Sequence, residues 1–243
     1  MQIGVEVIGG FRSAFRRGRG AQDGVFGRLR AKRMLAVLGV LVFFAVQPIY
    51  FSPSELAAAL KSPRYWIALG LLKLVGGALG LGLARVATGE TDVTGLRRDL
   101  DRRQAFWAIG FWVLALPAIK FILTLSEPEP LQRPAEVLRD ADQVFLRISM
   151  AFALIVATPL CEEIAFRGLI QQGIRRVSGA GPAIFLTSLI FMVVHEPRSI
   201  WPAVFVLSLV LGRIYERTRS IWPGVLVHAV HNALVFVLIV RSD

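Results

Sequence analysis

Glu162, Glu163 and Arg167 stand inside Phe152–Ile170, FALIVATPLCEEIAFRGLI, a run apolar enough to be a membrane helix. An ionised carboxylate at membrane depth costs at least a few kcal/mol and is kept where it faces protein, a partner or trapped water. Neighbours on an α-helix point about 100° apart, so the two carboxylates cannot project into one spot. Glu163 and Arg167, four apart, share a face and can pair. Glu162 is then free to face a cavity as a base. A purely structural ion pair would account for Glu163 and Arg167 and leave Glu162 unexplained.

The histidines all follow in later apolar segments. His195 closes Phe191-Met192-Val193-Val194-His195. His228 and Asn232, four apart in His228-Ala229-Val230-His231-Asn232, share a helix face and can both donate hydrogen bonds into one pocket. Taken singly, each is more often a packing residue, because imidazole and amide groups also bridge membrane helices. Taken together, they supply the parts for hydrolysis by water. Glu162, helped by His195, deprotonates the water, and His228 with Asn232 holds the oxyanion. One such donor is typically worth about 2.7–4 kcal/mol.

No serine or cysteine nucleophile is needed. Ser188 and Ser208 have no base beside them in sequence, and Cys161, the single cysteine, reads as a packing residue. Glu162, His195 and His228 also form a Glu/His/His set that suits a divalent metal such as zinc with an open position for water. The HExxH pair of common zinc helices is missing. The metal-free version is preferred, and no cofactor is favoured.

Such groups require a scaffold, and the composition says which kind. At 55% hydrophobic residues over 243, the chain is too apolar for an ordinary soluble domain. Its net charge of +11 is carried at the ends of apolar runs. That placement fits the positive-inside rule and argues against nucleic acid. The expected fold is all-α, a polytopic bundle of about seven spans with the active site inside. The spans are expected near 34–51, 65–86, 105–125, 144–172, 181–196, 200–216 and 221–240. The fifth and sixth are short and divided by His195-Glu196-Pro197-Arg198, which suggests tilted or re-entrant segments. Three parts follow: a basic leader on lipid headgroups (1–33), N-terminal helices and loops (34–143) and a catalytic core (144–240).

Loop charge gives the sidedness. Arg97, Arg98, Arg102 and Arg103 mark loop 87–104 as cytoplasmic, as do Arg175 and Arg176, then Arg213, Arg217 and Arg219. The acidic loop 126–143 belongs outside. The N-terminus is then inside and the C-terminus outside. Lys73 and Lys120, within spans, are expected to snorkel or face the bundle and are given no chemistry.

The residues EEIAFR, FMVVH and HAVHN resemble, in order, the EExxxR, FxxxH and HxxxN motifs of the CPBP intramembrane proteases. This is the CAAX-protease and bacteriocin-processing group, which includes Rce1-type endopeptidases. The resemblance covers roughly residues 150–236. It implies that Glu162 activates water with His195 as its partner, that His228 and Asn232 stabilise the oxyanion, and that Glu163 and Arg167 support them. His231 lies outside the pattern. It further implies an intramembrane endopeptidase, in a bacterial inner membrane, acting on a peptide or membrane-anchored protein among membrane lipids. Family usage on metal dependence is divided. The alternatives are a non-enzymatic immunity or scaffold protein and a proton-coupled carrier.

Overall fold

The computed structural model describes residues 53–89, 92, 94–96, 98–125 and 133–242, and these are helical with connecting turns. The expected leader 1–33 and first span 34–51 lie outside the described residues. Helix α1 is Pro53–Leu60, α2 Pro63–Thr88, α3 Arg102–Leu125 and α4 Arg133–Arg139. The long α5 runs from Val144 to Ser178. Ala180–Val193 forms α6, Trp201–Thr218 α7 and Trp222–Val240 α8. The six remaining expected spans each coincide with one of these helices. Among the described residues, five helices (α2, α3, α5, α8 and α7 with the preceding turn) are long and apolar enough to cross a bilayer. The chain is an integral membrane protein. The short helices α1 and α4 were not foreseen.

Apolar side chains face outward as well as inward, as a lipid solvent requires. On α2, Leu71, Val75, Leu79 and Leu83 form an exposed stripe at four-residue spacing. The opposite face of α2 carries Gly70, Lys73, Gly77, Gly80 and Ala84. Small residues let membrane helices approach closely. A side chain at Gly70 would stand 2.5 Å from the Phe152 ring, and one at Gly77 3.8 Å from the Cys161 backbone. So α2 lies tightly along α5.

Helices α5 and α7 are joined by a polar seam. Arg167 bonds Ser208, Gln171 bonds the Gly212 carbonyl and Arg175 bonds Glu216. Each rung advances four residues on both helices, so the two run parallel, with α6 returning between them. The loops expected on the cytoplasmic side do meet at one end. Trp222 Nε1 donates to the Leu96 carbonyl, Ser220 Oγ to that of Arg98, and Arg175 and Arg219 both hold Glu216. Gly95 sits in this junction at φ 73°, and a Cβ there would lie 2.0 Å from the Arg219 carbonyl oxygen. At the other end, Leu138 of α4 and Leu60 and Trp66 pack in one cluster, against which Phe236 and Ile239 of α8 lie. The grouping of loops by charge therefore matches the grouping in space.

The fifth expected span is the short one. Helix α6 stops at Val193 after 14 residues and is followed by a turn at 194–197 and the 3₁₀ turn Arg198–Ile200. Its end lies at the depth of Phe166 and Arg167, whose side chains meet the Phe191 ring. A short fifth helix is what lets His195 approach residues that equal-length spans would have put at another depth.

Candidate active site

The local backbone of α5 is the first departure from expectation. Phe152–Ala157 and Glu163–Gln171 are π-helical, with the i→i+5 pattern that is rare and concentrated at functional sites. Pro159 follows the first of these turns. Thr158 N–H reaches back five residues to the Ala153 carbonyl. In that register the donor for the Leu154 carbonyl is residue 159, and proline has no N–H. The side chain of Asn232 takes its place, with Nδ2 donating to Leu154 O at 2.8 Å. Asn232 thus ties α8 to α5 at an orphaned carbonyl. One amide N–H remains for other use.

The two glutamates have separate surroundings. Glu163 is fully buried, and its Oε1 lies 3.2 Å from Arg167 Nη1, the i,i+4 pair read from the sequence. It also lies 3.1 Å from His228 Nδ1. Gly224 leaves room for this carboxylate, since a Cβ at 224 would stand 2.8 Å from Glu163 Oε2. Arg167, equally buried, donates to Ser208 Oγ at 3.0 Å and lies over the Phe191 ring at 4.6 Å. The ion pair and the Ser208 bond offset part of the cost of burying these charges, while Glu163 Oε2 and Arg167 Nε have no hydrogen-bond partner among the described residues.

Glu162 is 7% exposed and faces two bases of different helices. His228 Nε2 is 3.8 Å from Oε2, and Lys73 Nζ is 3.9 Å from Oε1. Neither is a short hydrogen bond, and Oε2 has no hydrogen-bond partner among the described residues. His228 therefore stands between the two carboxylates. A carboxylate only accepts, so Nδ1 carries the proton given to Glu163, and Nε2 is the nitrogen turned to Glu162.

His195 is placed differently. Its Nδ1 lies 2.6 Å from the Phe191 carbonyl, which only accepts, so Nε2 is the lone-pair nitrogen of the neutral ring. Trp201 Nε1 donates to the His195 carbonyl and fixes the turn. No hydrogen bond or ion pair joins His195 to either glutamate among the described residues. The link is the Phe191 ring, whose centroid is 4.4 Å from that of His195 and 5.9 Å from that of His228. His231, outside the motif, accepts from Trp112 Nε1 at 3.3 Å and packs α8 on α3.

Of the six residues singled out in sequence, Glu162, Glu163, Arg167 and His228 form one connected cluster. His195 borders it through Phe191, and Asn232 lies one turn along α8 with its amide on Leu154. Residues 144–234 match the family model described as type II CAAX prenyl endopeptidase Rce1-like. That segment is similar to the Rce1-like family. No curated protein and no solved structure matches the chain significantly. The Rce1-like segment contains every residue of the three motifs, while Lys73 comes from outside it. A glycine face on α2 with a lysine at the same helical spacing was the signal for Lys73 in the sequence.

The described residues contain no group of three or more His, Cys, Asp and Glu side chains arranged to hold a metal ion. Glu162, His195 and His228 are therefore not gathered as the ligand set considered from sequence.

Proposed function

We propose that the chain is an intramembrane endopeptidase that cuts a peptide bond of a peptide or membrane-anchored protein with activated water. The observation that carries this reading is Glu162 Oε2, a buried carboxylate oxygen with no hydrogen-bond partner beside an imidazole nitrogen. A purely structural ion pair has no need of it. The match of residues 144–234 to the Rce1-like family supports the same class.

In this mechanism Glu162 takes a proton from water as the oxygen attacks the scissile carbonyl. The lone pair of His195 Nε2 helps to orient that water. The 3.8 Å gap between Glu162 and His228 Nε2 lets that proton pass to the imidazole. Such gaps commonly tighten when substrate binds. His228 then donates Nε2–H to the oxyanion while Nδ1–H stays on Glu163, and the free N–H of Asn232 donates beside it. The proton returns to the leaving nitrogen as the C–N bond breaks. Glu163 and Arg167 hold the imidazole in register. The basic loops assign their end to the cytoplasm, with the N-terminus on the same side and a bacterial inner membrane as the setting.

The test is a comparison of new protein termini, by mass spectrometry of host membranes, between cells expressing the wild type and Glu162→Gln at equal levels. Termini present only with wild type, lost by at least about 100-fold in the variant, are expected for a general base. Identical termini with an unchanged host phenotype would favour the scaffold or immunity role instead. Transport in proteoliposomes without new termini would favour the proton-coupled carrier.

A further inference from the structure

Within the Rce1-like segment the buried cluster is unbalanced: Glu162 and Glu163 face the single guanidinium of Arg167, with His228 between them. Buried carboxylates in a membrane need compensating charge, since each uncompensated one costs several kcal/mol. The second cation comes from α2. Lys73 Nζ is 3.9 Å from Glu162 Oε1, with both side chains largely buried, at 13% and 10% exposed. It lies on the glycine face between Gly70 and Gly77, where α2 packs against α5. An exposed stripe of leucine and valine occupies the other side of the same helix. A lysine on that stripe would snorkel through lipid; one on the glycine face points into the bundle.

We propose that Lys73 is the counter-ion of Glu162 and a positioning residue of the active site, supplied by a helix outside the matched segment. Within 4 Å, Glu162 meets Lys73 from α2 and His228 from α8; Cys161 and Arg167 of α5 lie in its field, and Glu163 is linked to it through His228. With Lys73 present, two cations offset two carboxylates and the His228 ring needs no charge for balance. Lys73 thereby sets a positive charge beside the carboxylate that is to accept the proton of water, and draws its Oε1 to α2 so that Oε2 faces His228. Removing Lys73 leaves a negative cluster that takes up a proton, on Glu162 or on His228. The catalytic sense of this role rests on the peptidase reading; the charge balance does not.

The test uses the full chain reconstituted in lipid bilayers at neutral pH. Infrared difference spectra against Glu162→Gln report a protonated Glu162 carboxyl, and nitrogen NMR of labelled histidine reports the charge on His228. Lys73→Met and Lys73→Gln are expected to show one of these two proton-uptake signals, and Lys73→Arg to lack both, as in wild type. Thermal unfolding adds a second readout. Lys73→Met should lower Tm, and the Lys73→Met/Glu162→Gln double variant should recover most of the loss. Unchanged protonation in both uncharged variants, or strictly additive Tm changes, would overturn the proposal. A wild type that cleaves nothing would sink the peptidase reading while these signals still decide the role of Lys73.

Discussion

Two ion pairs in this protein have similar contact distances and opposite surroundings. Arg139 and Asp140, at the end of α4, lie 2.9 Å apart with side chains 39% and 66% exposed. Arg167 and Glu163, within α5, lie 3.2 Å apart with no exposure at all. The shorter pair is the weaker one. Water screens it, and exposed pairs are worth little. The longer pair has no water to fall back on, and each member depends on the other together with Ser208 and His228. Contact distance says little about energy here; what each charge would meet if its partner were gone says most of it.

Breaking the buried pair should have the largest effect. Arg167→Met strands a buried carboxylate and is expected to destabilise by about 3–5 kcal/mol. Adding Glu163→Gln should return part of that. Unfolding of purified protein in detergent measures both, and equal stability of wild type and Arg167→Met would erase the contrast. A smaller effect is expected where the buried group is neutral. Asn232→Ala leaves the Leu154 carbonyl unpartnered, at a cost of about 1–3 kcal/mol. Pro159→Ala in that background provides an N–H at position 159 and should restore stability without restoring peptide cleavage. Failure of that rescue would show that Asn232 does not answer the missing proline N–H. Gly224→Ala, which puts a methyl against Glu163, should cost about 1–3 kcal/mol by overpacking and lower cleavage with it.

The exposed pair should show the least. The hydrogen bond from Arg139 holds the Asp140 carboxyl below the usual range and raises Arg139 above its own. A lowered carboxyl contributes above its unfolded value and loses that contribution as pH falls through the folded one. With both groups open to solvent, Asp140→Asn is expected to leave Tm unchanged at neutral pH and at acidic pH alike. A measurable drop would mean that the α4 end is ordered by more than water-screened charge.

The same contrast marks what could be read from the sequence. Helix positions were legible because apolar length is a local property, and the pairing of loops because arginine is placed at helix ends. The Glu163–Arg167 bond was legible as an i,i+4 spacing. Lys73 was not. Its partner is on another helix far along the chain, and the fact that would have revealed it was the glycine spacing on its own face. The polar seam of Arg167, Gln171 and Arg175 with Ser208, Gly212 and Glu216 escaped for the same reason, although both sets step by four. The π-turns changed which carbonyl is orphaned, so Asn232 acquired a backbone partner that α-helical geometry would not suggest. His195 was expected within the fifth span but stands in the turn beyond Val193, and its link to the site through Phe191 depends on where α6 stops.

The brevity of α6 has a consequence for the lipid around it. At about 1.5 Å per residue, its 14 residues reach about 21 Å. The hydrocarbon layer is about 30 Å thick. A helix that short makes the bilayer thin beside it, or admits headgroups and their water to the level where it ends. Such thinning is expected on the side where α6 gives way to the half-buried His195 turn. A hydrolase in this bundle would need water at depth, and the short α6 is where the bilayer is expected to thin toward His195.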